Sequence, residues 1–161
     1  MGPTGGGAAC PTLSVGALPG GGYTRLRARY ATTARAVYNE AYFSTSTQQV
    51  GFELVRAAAG ALPLPFSGQF TGANYGDCQA CLRFGEQCTF SGSTATGCAR
   101  EFLAQSGSVT FTAATESASS GQFSGSVSNV VVRQWNFGSD TPVANGACYT
   151  IPAASFSASW P

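Results

Sequence analysis

Ser108-Val109-Thr110-Phe111-Thr112-Ala113 and Gln122-Phe123-Ser124-Gly125-Ser126-Val127-Ser128-Asn129-Val130-Val131-Val132 flank a small polar loop at Ser117–Ser120. In both arms apolar and small polar residues alternate, the period of a strand with one face buried. β-Branched and aromatic side chains at the apolar positions suit a pleated surface, so the stretch predicts a β-hairpin. The run Val130–Val132 breaks the alternation, which predicts a bulge or burial on both faces.

The same period runs outward from this hairpin. Tyr23-Thr24-Arg25-Leu26-Arg27-Ala28-Arg29-Tyr30 alternates strictly, with Leu26, Ala28 and Tyr30 on one face and an arginine column, Arg25, Arg27 and Arg29, on the other. Arg35–Phe43 predicts a second strand and Gln49–Arg56 a third, with Val50, Phe52 and Leu54 inward. Ala57–Ala61 predicts a helical turn. Leu62-Pro63-Leu64-Pro65-Phe66 lacks two backbone donors and reads as an edge or connection. Asn74-Tyr75-Gly76-Asp77 is a turn signal ahead of a strand from Cys78 to Phe84. Ser91–Gly97 reads as a polar loop and Cys98–Gln105 as a short strand or helical turn. Turns at Asp140–Pro142 and Asn145-Gly146 precede final strands at Ala147–Ile151 and Ala154–Ala158. Eight or nine short strands without a long helical pattern predict an all-β fold, an antiparallel β-sandwich of immunoglobulin-like or jelly-roll-like kind. The expected organisation is a flexible Gly/Pro-rich lead over residues 1–22 and one β-sandwich domain over residues 23–161.

Composition narrows the function classes. Charged residues make up 9 % of the chain and apolar residues 43 %, with Gly, Ser, Thr and Ala filling the difference. The net charge of +1 gives no field to draw in nucleic acid or anionic lipid. All eight cations are Arg; Lys and His are absent. Schiff-base chemistry and the common His-based triads and dyads are therefore excluded, and the expectation is a non-catalytic protein without a cofactor. No apolar run is long enough to cross a membrane as a helix.

The six cysteines, Cys10, Cys78, Cys81, Cys88, Cys98 and Cys148, are an even set that predicts disulfides formed in an oxidising, extracytoplasmic compartment. Four of them fall between Cys78 and Cys98. Their spacing also permits a zinc site of four thiolates, and Cys78-Gln79-Ala80-Cys81 has the spacing of thiol oxidoreductases, although its flanks read as strand and not as a βαβ unit. Met1–Cys10 lacks the basic and apolar regions of a secretory signal. Gly7-Ala8-Ala9-Cys10 resembles the end of a bacterial lipoprotein signal without its usual Leu, leaving lipidation and disulfide pairing both open for Cys10.

Three side-chain groups are candidates for binding. Arg25, Arg27 and Arg29 match the carboxylates or sulfates of an anionic polysaccharide, unless acidic residues such as Glu40 or Glu53 on adjacent strands neutralise them or they guard a sheet edge. Tyr75, Trp135, Tyr149 and Trp160 are the aromatics on which a sugar ring could stack, against burial in the core. Among the seven carboxylates, two close together in a cleft would suffice for glycoside hydrolysis, but nothing in their spacing demands it. No Asp-rich calcium loop or phosphate-binding glycine loop is present.

From Arg35 onward the landmarks also carry a family resemblance. Asn74-Tyr75 precedes Cys78-Gln79-Ala80-Cys81-Leu82; Cys98 precedes Phe102-Leu103-Ala104 and Gly107-Ser108-Val109-Thr110; then come Phe123–Val130, Pro142, Cys148 and Ser155-Phe156-Ser157-Ala158. This order resembles small exported, often lipoprotein-anchored domains of myxobacteria and related bacteria, most of them uncharacterised. The resemblance implies an all-β fold, a location outside the cytoplasm and no known activity. It also implies that Cys78, Cys81, Cys98 and Cys148 are the usual cysteines, with Cys88 and Cys10 extra and free to pair with each other. The combined expectation is a secreted or surface-associated interaction domain meeting a protein or glycan, with carbohydrate binding or self-assembly as alternatives.

Overall fold

The computed structural model describes residues 9–161. Its strands are β1 (Gly16–Leu18), β2 (Arg25–Thr32), β3 (Val37–Ser44), β4 (Gln49–Arg56), β5 (Phe66–Gln69), β6 (Ala80–Ser91), β7 (Thr94–Ala114), β8 (Gly121–Asn136), β9 (Thr141–Pro142) and β10 (Cys148–Trp160), with one 3₁₀ turn at Tyr75–Asp77. No α-helix occurs among the described residues. The strands hydrogen-bond in the order β1-β10-β8-β7-β6-β4-β3-β2, with β5 added to β7 and β9 to β8. Every pairing is antiparallel except β1 with β10.

The all-β expectation is met, but the two-sheet sandwich is replaced by one mixed sheet curled into a half-barrel. The physical reason lies in β7 and β8, which run 21 and 16 residues and bend instead of ending. Their pairing shifts register between Ala104 and Ser106, between Ser106 and Ser108, and between Phe111 and Ala113. Such irregularities bend a strand and raise its local twist. At Gly107, φ is 115° and a Cβ would lie 2.7 Å from the Asn129 carbonyl oxygen, so only glycine allows the close approach there. Curling brings Phe156 of β10 onto β3, β4, β7 and β8: its ring stacks on Phe52 at 4.1 Å and meets Phe43, Phe111 and Phe123 edge-on. Val50, Phe52 and Leu54 face this core, as their alternation predicts.

Several local expectations change. Ala57–Ala61 forms a turn without helix. The polar loop over Ser91–Gly97 shrinks to a tight turn at Gly92-Ser93, since β6 and β7 pair out to Ser91 and Thr94. Cys98–Gln105 is part of β7, and the two closing strands are one, β10, passing through Pro152. Pro152 falls in the gap between the hydrogen bonds that Thr150 makes with Pro11 and Leu13 and the β1 pairing at Ala154–Phe156, and it has no partner in either ladder, so its missing donor is tolerated. Residues 9–22 are not a free lead. Val15 and Leu18 are buried, β1 pairs with β10, and Cys10 is bonded to Cys148. The part of the expected lead before residue 9 lies outside the described residues.

All six sulfurs are paired, as Cys10–Cys148, Cys78–Cys81 and Cys88–Cys98. The Cys10–Cys88 pair implied by the family resemblance does not form, because Cys88 stands directly opposite Cys98 in the β6–β7 ladder. The sulfur a lipid would take on Cys10 is occupied by Cys148, and no thiolate remains to gather round zinc. Three disulfides mark an oxidising environment.

Candidate functional site

Because side chains alternate across each strand, the same residues that send Phe43, Phe52, Leu82 and Phe84 into the core send a polar set to the outer face. The register places Arg29, Glu40, Glu53 and Cys81 in one row across β2, β3, β4 and β6. Arg27, Tyr42, Gly51 and Arg83 form the next row, two residues along each strand. Arg25, Ser44 and Gln49 form the third.

Glu40 neutralises the arginine column. Its Oε1 accepts from Arg27 Nη1 at 3.0 Å and Arg29 Nε at 2.6 Å, and the hydrogen bond to Glu40 raises the Arg29 pKa. Arg27 and Arg29 also lie over the rings of Tyr42 and Tyr38, at 4.6 and 5.6 Å. Arg25 has only a long contact to the Gly92 carbonyl and the Phe90 ring at 5.8 Å. An arginine column free to grip an anionic polysaccharide is thus not what forms.

Glu53 sits deeper, 6 % exposed, although it belongs to the outer face. Two phenols cover it: Tyr42 donates to Oε1 at 2.6 Å and Tyr75 donates to the same oxygen at 2.9 Å. Tyr42 reaches it by lying flat across Gly51, where any Cβ would collide with the ring. Tyr75 is carried by the 3₁₀ turn, and Asp140 pins that turn by accepting from the Tyr75 and Gly76 N–H groups and from Trp135 Nε1. Arg83 lies over the Tyr75 and Phe137 rings at 4.7 and 3.9 Å and reaches Glu101. Burial lifts the Glu53 carboxyl above its ordinary range despite the phenols, and lifts the Tyr75 phenol to about 12. The Gly76 N–H, helped by Trp135 and the Tyr75 N–H, holds Asp140 below its ordinary range.

Two hollows open on this face. The first, about 370 Å³, is lined by Arg29, Tyr38, Glu40, Glu53, Val55, Tyr75 and Cys81. The second, about 330 Å³, lies over the neighbouring rows between Arg27, Tyr42, Gln49, Arg83, Thr96 and Glu101. Of the side chains expected to bind, Arg27, Arg29 and Tyr75 come together here. Trp135 does not, being buried with its indole N–H on Asp140. Trp160 is buried too, donating to the Ser117 carbonyl. Tyr149 belongs elsewhere: its ring packs against Phe84 and Phe102 and its hydroxyl donates to Glu86. Tyr38, Tyr42, Gln49 and Arg83 escaped the sequence reading. The signal was Tyr38-Asn39-Glu40-Ala41-Tyr42, where both tyrosines fall on the polar parity of an alternating strand.

Glu40 and Glu53 are direct cross-strand neighbours, the arrangement from which a carboxylate pair could work on a glycosidic bond. Here Glu40 is committed to two guanidinium groups, while both phenols occupy one Glu53 oxygen and the other is out of contact with solvent. No group of three or more potential metal ligands occurs among the described residues. Comparison with protein-family models, curated proteins and solved structures finds no match. No helix among the described residues is long and apolar enough to cross a membrane.

Proposed function

We propose that the protein is a non-catalytic interaction domain that works outside the cytoplasm, secreted or at a cell surface, and meets its partner through the outer-face groove of β2, β3, β4 and the Tyr75 turn. One observation carries the reading. Glu53 is buried on the face of the sheet that ordinarily meets water, lines a hollow of about 370 Å³, and keeps one carboxyl oxygen, Oε2, with no hydrogen-bond partner among the described residues. A buried polar atom left unsatisfied costs about 1–3 kcal/mol, so such an atom beside an open hollow is a place for a ligand to bond. The disulfides and the resemblance to exported bacterial domains support the compartment.

The test is a paired screen of the oxidised protein on a glycan array and a surface-displayed peptide library. Binding that is lost with Tyr75→Ala or Arg29→Ala and kept with Arg133→Gln supports the groove. Ligands indifferent to the first two substitutions overturn it. Self-association is the second reading, because β2 ends the sheet and no strand among the described residues pairs with its outer edge. Sedimentation that shifts with concentration, and no longer does so with Ala28→Pro, supports it.

A further inference from the structure

We infer that the groove takes an uncharged oligosaccharide of at least two sugar rings, lying along the strands with one ring in each hollow; this rests on the groove being the contact surface. Three features point to that ligand class. The first is charge. Three guanidinium groups, Arg27, Arg29 and Arg83, face three carboxyl groups, Glu40, Glu53 and Glu101, and are ion-paired or packed with them. A charged ligand would meet an equal charge of its own sign, whereas a neutral polyol meets both donors and acceptors.

The second feature is the distribution of unsatisfied atoms. Of the five buried side-chain nitrogens and oxygens without a hydrogen bond among the described residues, Glu53 Oε2 belongs to a side chain of the first hollow, and Arg27 Nε and Gln49 Nε2 to side chains of the second. An acceptor beneath one hollow and two donors beneath the other match hydroxyl groups, each of which both donates and accepts. A purely apolar or purely anionic ligand would satisfy only part of the set.

The third feature is spacing and shape. The two hollows lie over adjacent side-chain rows, a step of about 7 Å along the strands, which is of the order of one sugar ring. Tyr38 and Tyr75 flank the first hollow and give it an aromatic surface for the apolar side of a ring, while Arg27 covers the Tyr42 ring at the second. All three unsatisfied atoms are sealed when the groove is empty, so the ligand reaches them by displacing the side chains that cover them, and Tyr75, which bonds Glu53 Oε1 from its 3₁₀ turn, borders the first hollow. Asp140 links that turn to Trp135, which makes indole fluorescence a reporter of binding.

The experiment is titration calorimetry on the oxidised chain with malto-, cello-, manno-, xylo- and chito-oligosaccharides of one to six units, and with oligogalacturonate and a sulfated oligosaccharide as charged comparators. At least one neutral series should bind, with its tetramer about tenfold or more tighter than its monomer and the charged comparators about tenfold weaker. Glu53→Gln, which turns the Oε2 acceptor into an amide donor, and Gln49→Ala, which removes the Nε2 donor, should each weaken binding about tenfold. Thr96→Trp, which fills the exposed rim of the second hollow without touching buried polar atoms, should weaken the tetramer and leave the monomer unchanged, so the result does not depend on the buried variants folding. Failure of every neutral series at millimolar concentration, or equal binding of the charged comparators, overturns the inference. If peptide ligands are found instead and are lost with Tyr75→Ala, the contact surface stands and only the sugar falls. If a neutral series binds but Glu53→Gln, Gln49→Ala and Thr96→Trp all leave it unchanged, both fall.

Discussion

Glu53 shows how far one side chain's protonation reaches into stability. Its carboxyl is lifted above the ordinary value of 4.5 by burial, so the folded state holds the proton more tightly than the unfolded chain does. The sign follows: the stabilisation from the protonated form is fully present below 4.5 and is lost as pH rises through the folded-state value. Glu53→Gln removes the buried charge while keeping an acceptor for both phenols. Its melting temperature should therefore stay level over the range where the parent's declines, and exceed the parent's at neutral pH, which a pH series of thermal melts will show. Gly51 works by absence, giving the Tyr42 ring the space to lie flat. Gly51→Ala should lift that ring, break the Tyr42–Glu53 bond and cost about 1–3 kcal/mol in chemical denaturation, the usual range for forcing volume into a packed site.

At the scale of elements, the 3₁₀ turn at Tyr75–Asp77 depends on a carboxylate far along the chain. Asp140 closes two of its backbone donors and also the Trp135 indole, so the β8–β9 turn and the Tyr75 turn hold each other. Asp140→Asn keeps the shape and removes the charge that makes these bonds strong. The expected outcome is a red shift and quenching of Trp135 fluorescence with the sheet's circular dichroism unchanged. Asp140 is held below its ordinary value of 3.8, so its contribution is present above 3.8 and fades as pH falls through the folded-state value. The parent should show that same fluorescence change at strongly acidic pH. Strands with clean alternation were legible at this scale: Gln49–Arg56 forms β4 within the expected bounds, and Val50, Phe52 and Leu54 point inward. The 3₁₀ turn was legible only as a turn, because no local pattern reports that its anchor stands at Asp140. The two closing strands expected at Ala147–Ile151 and Ala154–Ala158 are one, because Pro152 falls in a gap of the pairing on both sides and does not interrupt β10.

The whole molecule is where sequence reading fell shortest. Strand count and turn signals are the same for two facing sheets and for one sheet bent back on itself. The choice between them lies in the β7–β8 irregularities near Gly107 and Asn129, which local periodicity registers only as a break at Val130–Val132. The groove was illegible for a related reason: Arg29 and Tyr75 belong to separate expectations until β2, β3, β4 and β6 align. Cystine pairing likewise needed the ladder that sets Cys88 beside Cys98. Cys10–Cys148 spans 138 residues, and the chain-entropy treatment gives such a loop about 5 kcal/mol. Replacing both residues with Ser should lower unfolding free energy by about 2–5 kcal/mol and free β1, seen as faster amide exchange at Gly16–Leu18 than at Val50–Leu54.

That covalent tie also decides what happens under tension. If residues beyond its two sulfurs were pulled apart, the load would pass from Cys10 straight into Cys148 and bypass β2 through β8 altogether. Only β10 beyond Cys148 could peel away, drawing Phe156 off the Phe43 and Phe52 rings behind the groove, and adding a reductant would turn a short extension into a long one.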